Sequence, residues 1–267
     1  MGRKLVAIDL DGTLLESSLT ISSYSEKVIR ALEKEGVIVV LASGRPYRAI
    51  RPYYEQLGLT SPVICYNGAM VFNPKDRSFP LYGKTFKAED LRDIAKKMGE
   101  KLLSFMAETG EIIYMDQPDS YLDHFFPWKT EHCLFGDMGE IIQEDCYTAV
   151  FHCRNEDAPL LQKVVESHPD MKFRHWTANC YSEAYVEHIH KGSALSYIMD
   201  VMGLRREDCY GFGDSDNDYE MLELVGHGYA IQNSKSEFLK QRFPTTEKGN
   251  NHDGVALMLA KLFRLSI

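Results

Sequence analysis

The chain has 267 residues, enough to bury roughly three quarters of the surface its unfolded form exposes, as one large domain or two unequal ones. Its 30 Lys and Arg stand against 39 Asp and Glu, a formal charge of -9 that gives no electrostatic basis for nucleic-acid binding. A small anionic substrate stays open, because one lysine in a pocket acts locally.

The six cysteines (Cys65, Cys133, Cys146, Cys153, Cys180, Cys209) form no CxxC pair and read as reduced cytoplasmic thiols. The apolar run Leu5 to Leu10 is interrupted by charge, too short for a signal peptide or a spanning helix, and Val6 stands where myristoylation after Gly2 wants Ser or Thr. No membrane partner is expected.

In chain order, Lys4 to Leu10 reads as a strand covered on both faces, followed by a helix from Ser23 to Lys34 that Gly36 ends. Val37 to Ala42 predicts a second strand, Arg48 to Leu57 a helix, and Val63 to Tyr66 a third strand, a β-α-β repeat that calls for a parallel sheet. Asn67-Gly68 between two apolar segments marks a hairpin or tight turn. After about Pro80 the texture changes. A helix (Ala88 to Lys97) precedes strand candidates at Ser104 to Ala107, Glu111 to Met115 and Tyr147 to Cys153. A helix at Ala158 to Ser167 then precedes strands at Met171 to Thr177 and Tyr185 to Ile189, an α+β pattern with antiparallel pairing. The first texture resumes with helix Ser193 to Val201, strand Cys209 to Phe212, helix Asp218 to Leu224, strand Gly228 to Ile231 and helix Gly254 to Phe263. The reading is an α/β domain, residues 1–81 and 188–267, split by an inserted α+β domain, residues 82–187.

Four segments carry chemistry. Asp9 and Asp11 end the first strand, where ligand sites of open α/β sheets lie. An Asp-Gly turn would explain that segment alone, but two carboxylates beyond a buried strand repel unless a cation or a shared proton relieves them. Ser43-Gly44-Arg45-Pro46 forms a plausible anion-binding strand-to-helix junction, or only a helix cap. Gly213-Asp214-Ser215-Asp216-Asn217-Asp218 offers hard oxygen ligands that suit Mg²⁺ and lacks the spacing of an EF-hand. Lys191 could neutralise a phosphate oxygen, with Ser193 as the helix N-cap. His188 and His190 would share a strand face, and with no third ligand nearby they read as polar surface rather than a zinc site. His252 reads as part of a loop capped by Asp253.

Together, Asp9-x-Asp11-Gly12-Thr13-Leu14-Leu15, Ser43-Gly44-Arg45, Asn67-Gly68-Ala69, Lys191-Gly192 and Gly213-Asp214-Ser215-Asp216-Asn217-Asp218 resemble the haloacid dehalogenase superfamily, specifically its Cof-like phosphatases with a type C2B cap. The core resemblance covers about residues 1 to 80 and 188 to 267. The approach to the lysine, His188-Ile189-His190-Lys191, departs from the family's habit of a proline and a longer turn. The resemblance implies a Rossmann-like core and an aspartyl-phosphate on Asp9, with Asp11 as the general acid and base. It also implies Mg²⁺ on Asp9, the Asp11 carbonyl, Asp214 and Asp218, and phosphate held by Ser43, Gly44, Lys191 and Asn217.

Arg45, Asn67, Glu183 and His188 are candidate substrate contacts. The expected partner is a small phosphorylated metabolite, sugar phosphates first and flavin mononucleotide or pyridoxal phosphate second, met by a cytoplasmic monomer or weak homodimer. Tyr121, Phe125, Phe126 and Trp128 could stack on a ring-bearing substrate or form a satellite core. A non-catalytic metal or nucleotide binding module is the alternative class. Asp11 argues against it, since binding alone needs no leaving-group acid.

Overall fold

A computed structural model of the protein describes residues 3–125 and 132–267. The first segment runs β1 (Leu5–Asp9), α1 (Ser23–Lys34), β2 (Ile38–Ala42), α2 (Tyr47–Leu57), β3 (Val63–Cys65), β4 (Met70–Phe72) and β5 (Tyr82–Gly83). The middle segment carries α3 (Ala88–Met98), β6 (Leu102–Glu108), β7 (Ile113–Met115), α4 (Ser120–Phe125), β8 (Cys133–Phe135) and α5 (Met138–Ile141). It continues with β9 (Thr148–Cys153), α6 (Ala158–Val165), β10 (Met171–Trp176) and β11 (Tyr181–Val186). The chain returns with α7 (Lys191–Met202), β12 (Cys209–Gly213), α8 (Tyr219–Leu224), β13 (His227–Ala230), α9 (Glu237–Arg242) and α10 (Gly254–Leu262). Two compact units result, Met1–Tyr82 with His190–Ile267, and Gly83–Ile189. No described helix is long and apolar enough to cross a membrane.

The first unit is built on a sheet in the order β13-β12-β1-β2-β3-β4-β5. β1 lies between β12 and β2, parallel to both, and every residue of it is buried, as a strand covered on two faces requires. Leu5 and Ala7 pack with Val40, Ala42 and Ile64 against Ala194, Leu195 and Ile198 of α7 and Met221 and Leu222 of α8. Val6 and Ile8 alternate to the opposite face and are equally buried. The expected hairpin at Asn67-Gly68 is present: β3 and β4 pair antiparallel, and Asn67 (φ 53°) and Gly68 (φ 108°) take the left-handed conformations that the tight turn demands.

The second unit is a sheet in the order β10-β11-β9-β6-β7-β8, antiparallel except for the β7-β8 pair. Leu91, Ile94 and Met98 of α3 and Leu161 and Val165 of α6 cover one face, on Phe105, Ala107, Ala149 and Phe151. On the other face Asp119 caps α4 by accepting the amides of Tyr121 and Leu122, and it also accepts from Ser104 Oγ and the Tyr181 hydroxyl. The Tyr181 ring is stacked between Tyr121 and His152, at 4.4 and 4.3 Å. Tyr121 is thus engaged in a cluster of its own unit, whereas Phe126, Trp128 and the Phe125 side chain lie outside the described residues.

Two local expectations change. β11 stops at Val186, because the Ile189 amide bonds back to the Val186 carbonyl and His188 turns to φ 63°, so His188 and His190 do not share a strand face. Helix α7 starts at Lys191 and is capped by His190, not Ser193.

Candidate active site

Because β1, β2 and β12 are parallel and in register, with Asp9 beside Ala42 and Ile8 beside Phe212, their carboxyl ends deliver three of the four chemical segments to one sheet edge. α7 adds the fourth.

Asp9 is 4% exposed and Lys191 1%. The Lys191 ammonium donates to Asp9 Oδ1 and to Asp218 Oδ1, both at 2.6 Å. Asp218 Oδ2 accepts the backbone amides of Asp214 (3.0 Å) and Ser215 (3.1 Å), which fixes that carboxylate from both sides. A side chain at Gly213 would collide with Asp218, so only glycine lets the loop close on itself here. Asp9 Oδ2, by contrast, is buried and has no hydrogen-bond partner among the described residues.

Three carboxylates facing one ammonium leave an excess of negative charge. Burial, and then Asp218, raise the Asp9 carboxyl well above the ordinary range, with Asp214 adding to the shift and Lys191 opposing it. Burial, and then Asp218, push Asp214 up to about 6. Burial alone would lower the Lys191 pKa, but Asp218 and Asp9 outweigh it and raise it, so the amine stays charged. Carboxylate oxygens of Asp9, Asp214 and Asp218 all lie within 4.8 Å of one another. A divalent cation fits this set, since the hard anionic oxygens of three carboxylates converge with one ammonium to offset them.

The turn after β1 holds Asp214 in place. Gly12 has φ +81°, a Cβ there would sit 2.5 Å from Asp214 Oδ2, and the Thr13 hydroxyl donates to Asp214 Oδ1 at 3.3 Å. Gly12 thus supplies the tight turn that its place at the end of the strand implies, and Thr13 adds a donor to Asp214. Asp11 lies at the rim with its side chain 44% exposed and gripped by Arg45, Nε to Oδ2 at 2.8 Å and Nη2 to Oδ1 at 2.6 Å.

Ser43 is buried, and its hydroxyl accepts the Arg45 amide at 3.1 Å. Gly44 lies against the Asn67 side chain, 3.1 Å from where a Cβ would stand, and Asn217 donates to Asn67 Oδ1 at 3.0 Å. Asp9, Asp11, Ser43, Gly44, Arg45, Asn67, Lys191, Asp214, Asn217 and Asp218 therefore belong to one contiguous set. Glu183 and His188 belong to the inserted unit: Glu183 stands 3.8 Å from Arg174 across the β10-β11 pair, and His188 is an exposed turn residue.

A family model described as haloacid dehalogenase-like hydrolase matches residues 6–259. The 5-amino-6-(5-phospho-D-ribitylamino)uracil phosphatase YitU of Bacillus subtilis is 34% identical over 98% of both chains. The phosphatase YwtE of the same organism, whose name gives the same substrate, is 26% identical over 97% of this chain and 98% of its own. Among solved structures, a haloacid dehalogenase-like hydrolase from Bacteroides thetaiotaomicron matches with a TM-score of 0.84 at 22% identity, covering 98% of this chain and 100% of that one, a likeness of fold. Sheet order, inserted α+β unit, aspartate cluster and relatives agree, and the chain belongs to the haloacid dehalogenase-like hydrolases as a phosphatase of the Cof-like type.

Proposed function

We propose that the protein hydrolyses 5-amino-6-(5-phospho-D-ribitylamino)uracil, in the cytoplasm and with Mg²⁺, through an aspartyl-phosphate on Asp9. The observation that carries the substrate is the 34% identity to the Bacillus subtilis enzyme of that name across 98% of both chains. Such a molecule joins the two classes left open by the sequence. Its phosphate sits on an open sugar-derived chain, and its far end is a heteroaromatic ring.

The buried, unpartnered Oδ2 of Asp9 supports a nucleophile's role. This oxygen forms a bond to phosphorus as the bond to the ribityl oxygen breaks, and Asp11, with one arm of the Arg45 fork released so that one of its oxygens can carry a proton, gives that proton to the leaving oxygen. Asp11 then takes a proton from water, whose oxygen attacks phosphorus and releases Asp9 and inorganic phosphate. Ser43, the Gly44 amide, Lys191 and Asn217 hold the non-bridging oxygens, where charge must be offset during in-line transfer. Asp9, the Asp11 carbonyl, Asp214 and, through water, Asp218 would hold Mg²⁺, which would supply positive charge to offset the repulsion between carboxylate and phosphoryl group.

Phosphate release from this substrate, ribose 5-phosphate, flavin mononucleotide and pyridoxal phosphate tests the reading. The ribitylaminouracil compound is expected to give the highest kcat/KM. A higher value for any of the other three would transfer the assignment to that compound.

A further inference from the structure

Helix α7 begins with the residue it must place most accurately. Lys191 is its first helical position, and a cation there opposes the helix dipole, whose positive end lies at the N-terminus. The first turn of α7 contains no acidic residue to compensate. The first turn is also where a helix frays, since its leading amides lack partners within the helix. Something outside the chemistry must hold this turn closed.

We infer that His190 is a positioning residue that caps α7 and thereby sets the Lys191 ammonium between Asp9 and Asp218. The His190 backbone is extended (φ -153°, ψ 170°), and its Nδ1 accepts the Ser193 amide at 3.1 Å. The Ser193 hydroxyl stands 3.1 Å from the His190 amide and 2.8 Å from the His190 carbonyl, which closes a reciprocal capping box. Histidine does here what Ser, Thr, Asp or Asn do at most N-caps. The surroundings leave the turn no slack. A Cβ on Gly68 would strike the His190 carbonyl, and a Cβ on Gly192 would sit 2.6 Å from the Glu220 backbone, so α7 starts wedged between the β3-β4 turn and α8.

This inference rests on the role proposed for Lys191, and the experiment separates the two. Turnover of p-nitrophenyl phosphate with Mg²⁺ is measured for the wild type, His190→Ala, His190→Asn and Lys191→Ala, with circular dichroism confirming the fold of each. His190→Ala is expected to lower kcat about five- to tenfold with KM changed less, the size of effect a lost cap implies. His190→Asn, which restores a capping acceptor without an imidazole, is expected to recover most of the loss. Wild-type kcat in His190→Ala overturns the inference. So does an equal loss in folded His190→Ala and His190→Asn, because the imidazole would then act otherwise than as a cap. Wild-type turnover in Lys191→Ala would overturn the proposed mechanism instead.

Discussion

Both carboxylate oxygens of Asp11 are held by a single side chain, the guanidinium of Arg45, in a fork of two bonds at 2.8 and 2.6 Å. The fork gives the half-exposed carboxylate one orientation at the edge of the site, and a lysine cannot reproduce it, because its ammonium is a point charge without a planar pair of donors.

Arg45→Lys is therefore expected to lower kcat by about tenfold and Arg45→Met by more, on the scale of a lost bidentate charge-assisted contact. The loss should appear mainly in kcat, because Arg45 acts through Asp11. Steady-state kinetics on p-nitrophenyl phosphate check this, and a change confined to KM would show that Arg45 binds substrate directly.

Asp9→Asn is expected to abolish turnover, by at least about 10⁴-fold, since an amide oxygen cannot replace the attacking carboxylate. The same substitution should stabilise the metal-free protein, because burial and the charges of Asp218 and Asp214 disfavour ionised Asp9 while Lys191 keeps Asp218 as a partner. Thermal melts in EDTA, set beside phosphate release, would show the two effects moving in opposite directions.

Metal removal and pH act on the same carboxylates. EDTA is expected to abolish activity and Mg²⁺ to restore it, with Ca²⁺ a poor substitute because its longer bonds and higher coordination disturb in-line alignment. In the metal-free protein Asp214 holds its proton up to about pH 6, pushed there by burial and then by Asp218, whereas the unfolded chain releases it near 3.8, as an ordinary aspartate does. The native state thus binds more protons across that window, so stability should fall as pH rises from about 4 to 6. Denaturant midpoints in EDTA at several pH values measure this, and saturating Mg²⁺ should flatten the trend.

Gly12→Ala is expected to cost about 1–3 kcal/mol and to reduce activity sharply, because φ +81° strains any side chain and the new Cβ would lie 2.5 Å from Asp214 Oδ2. A melt and a Mg²⁺ titration of kcat distinguish the two consequences: strain alone lowers the melting temperature, whereas displacement of Asp214 also weakens the apparent metal affinity.

The sequence by itself determined the split architecture and the assembly of one acidic site. Uninterrupted apolar runs followed by helical periodicity specify parallel strands, and parallel strands necessarily bring Asp9, Ser43 and Asp214 to the same sheet edge. Tertiary structure alone decided which partner each side chain takes. Arg45 meets Asp11 across 34 positions, Lys191 meets Asp218 across 27, and Asn217 meets Asn67 across 150. No local period encodes such pairings, because each depends on where two separate loops leave the sheet. The cap of α7 is the instructive case. Its bonds span only three residues, yet residue type alone favours Ser193 as the cap, and His190 takes the place because the β3-β4 turn and α8 fix where the helix can begin. Intrinsic preference ranks the candidates for such a position, and packing selects among them.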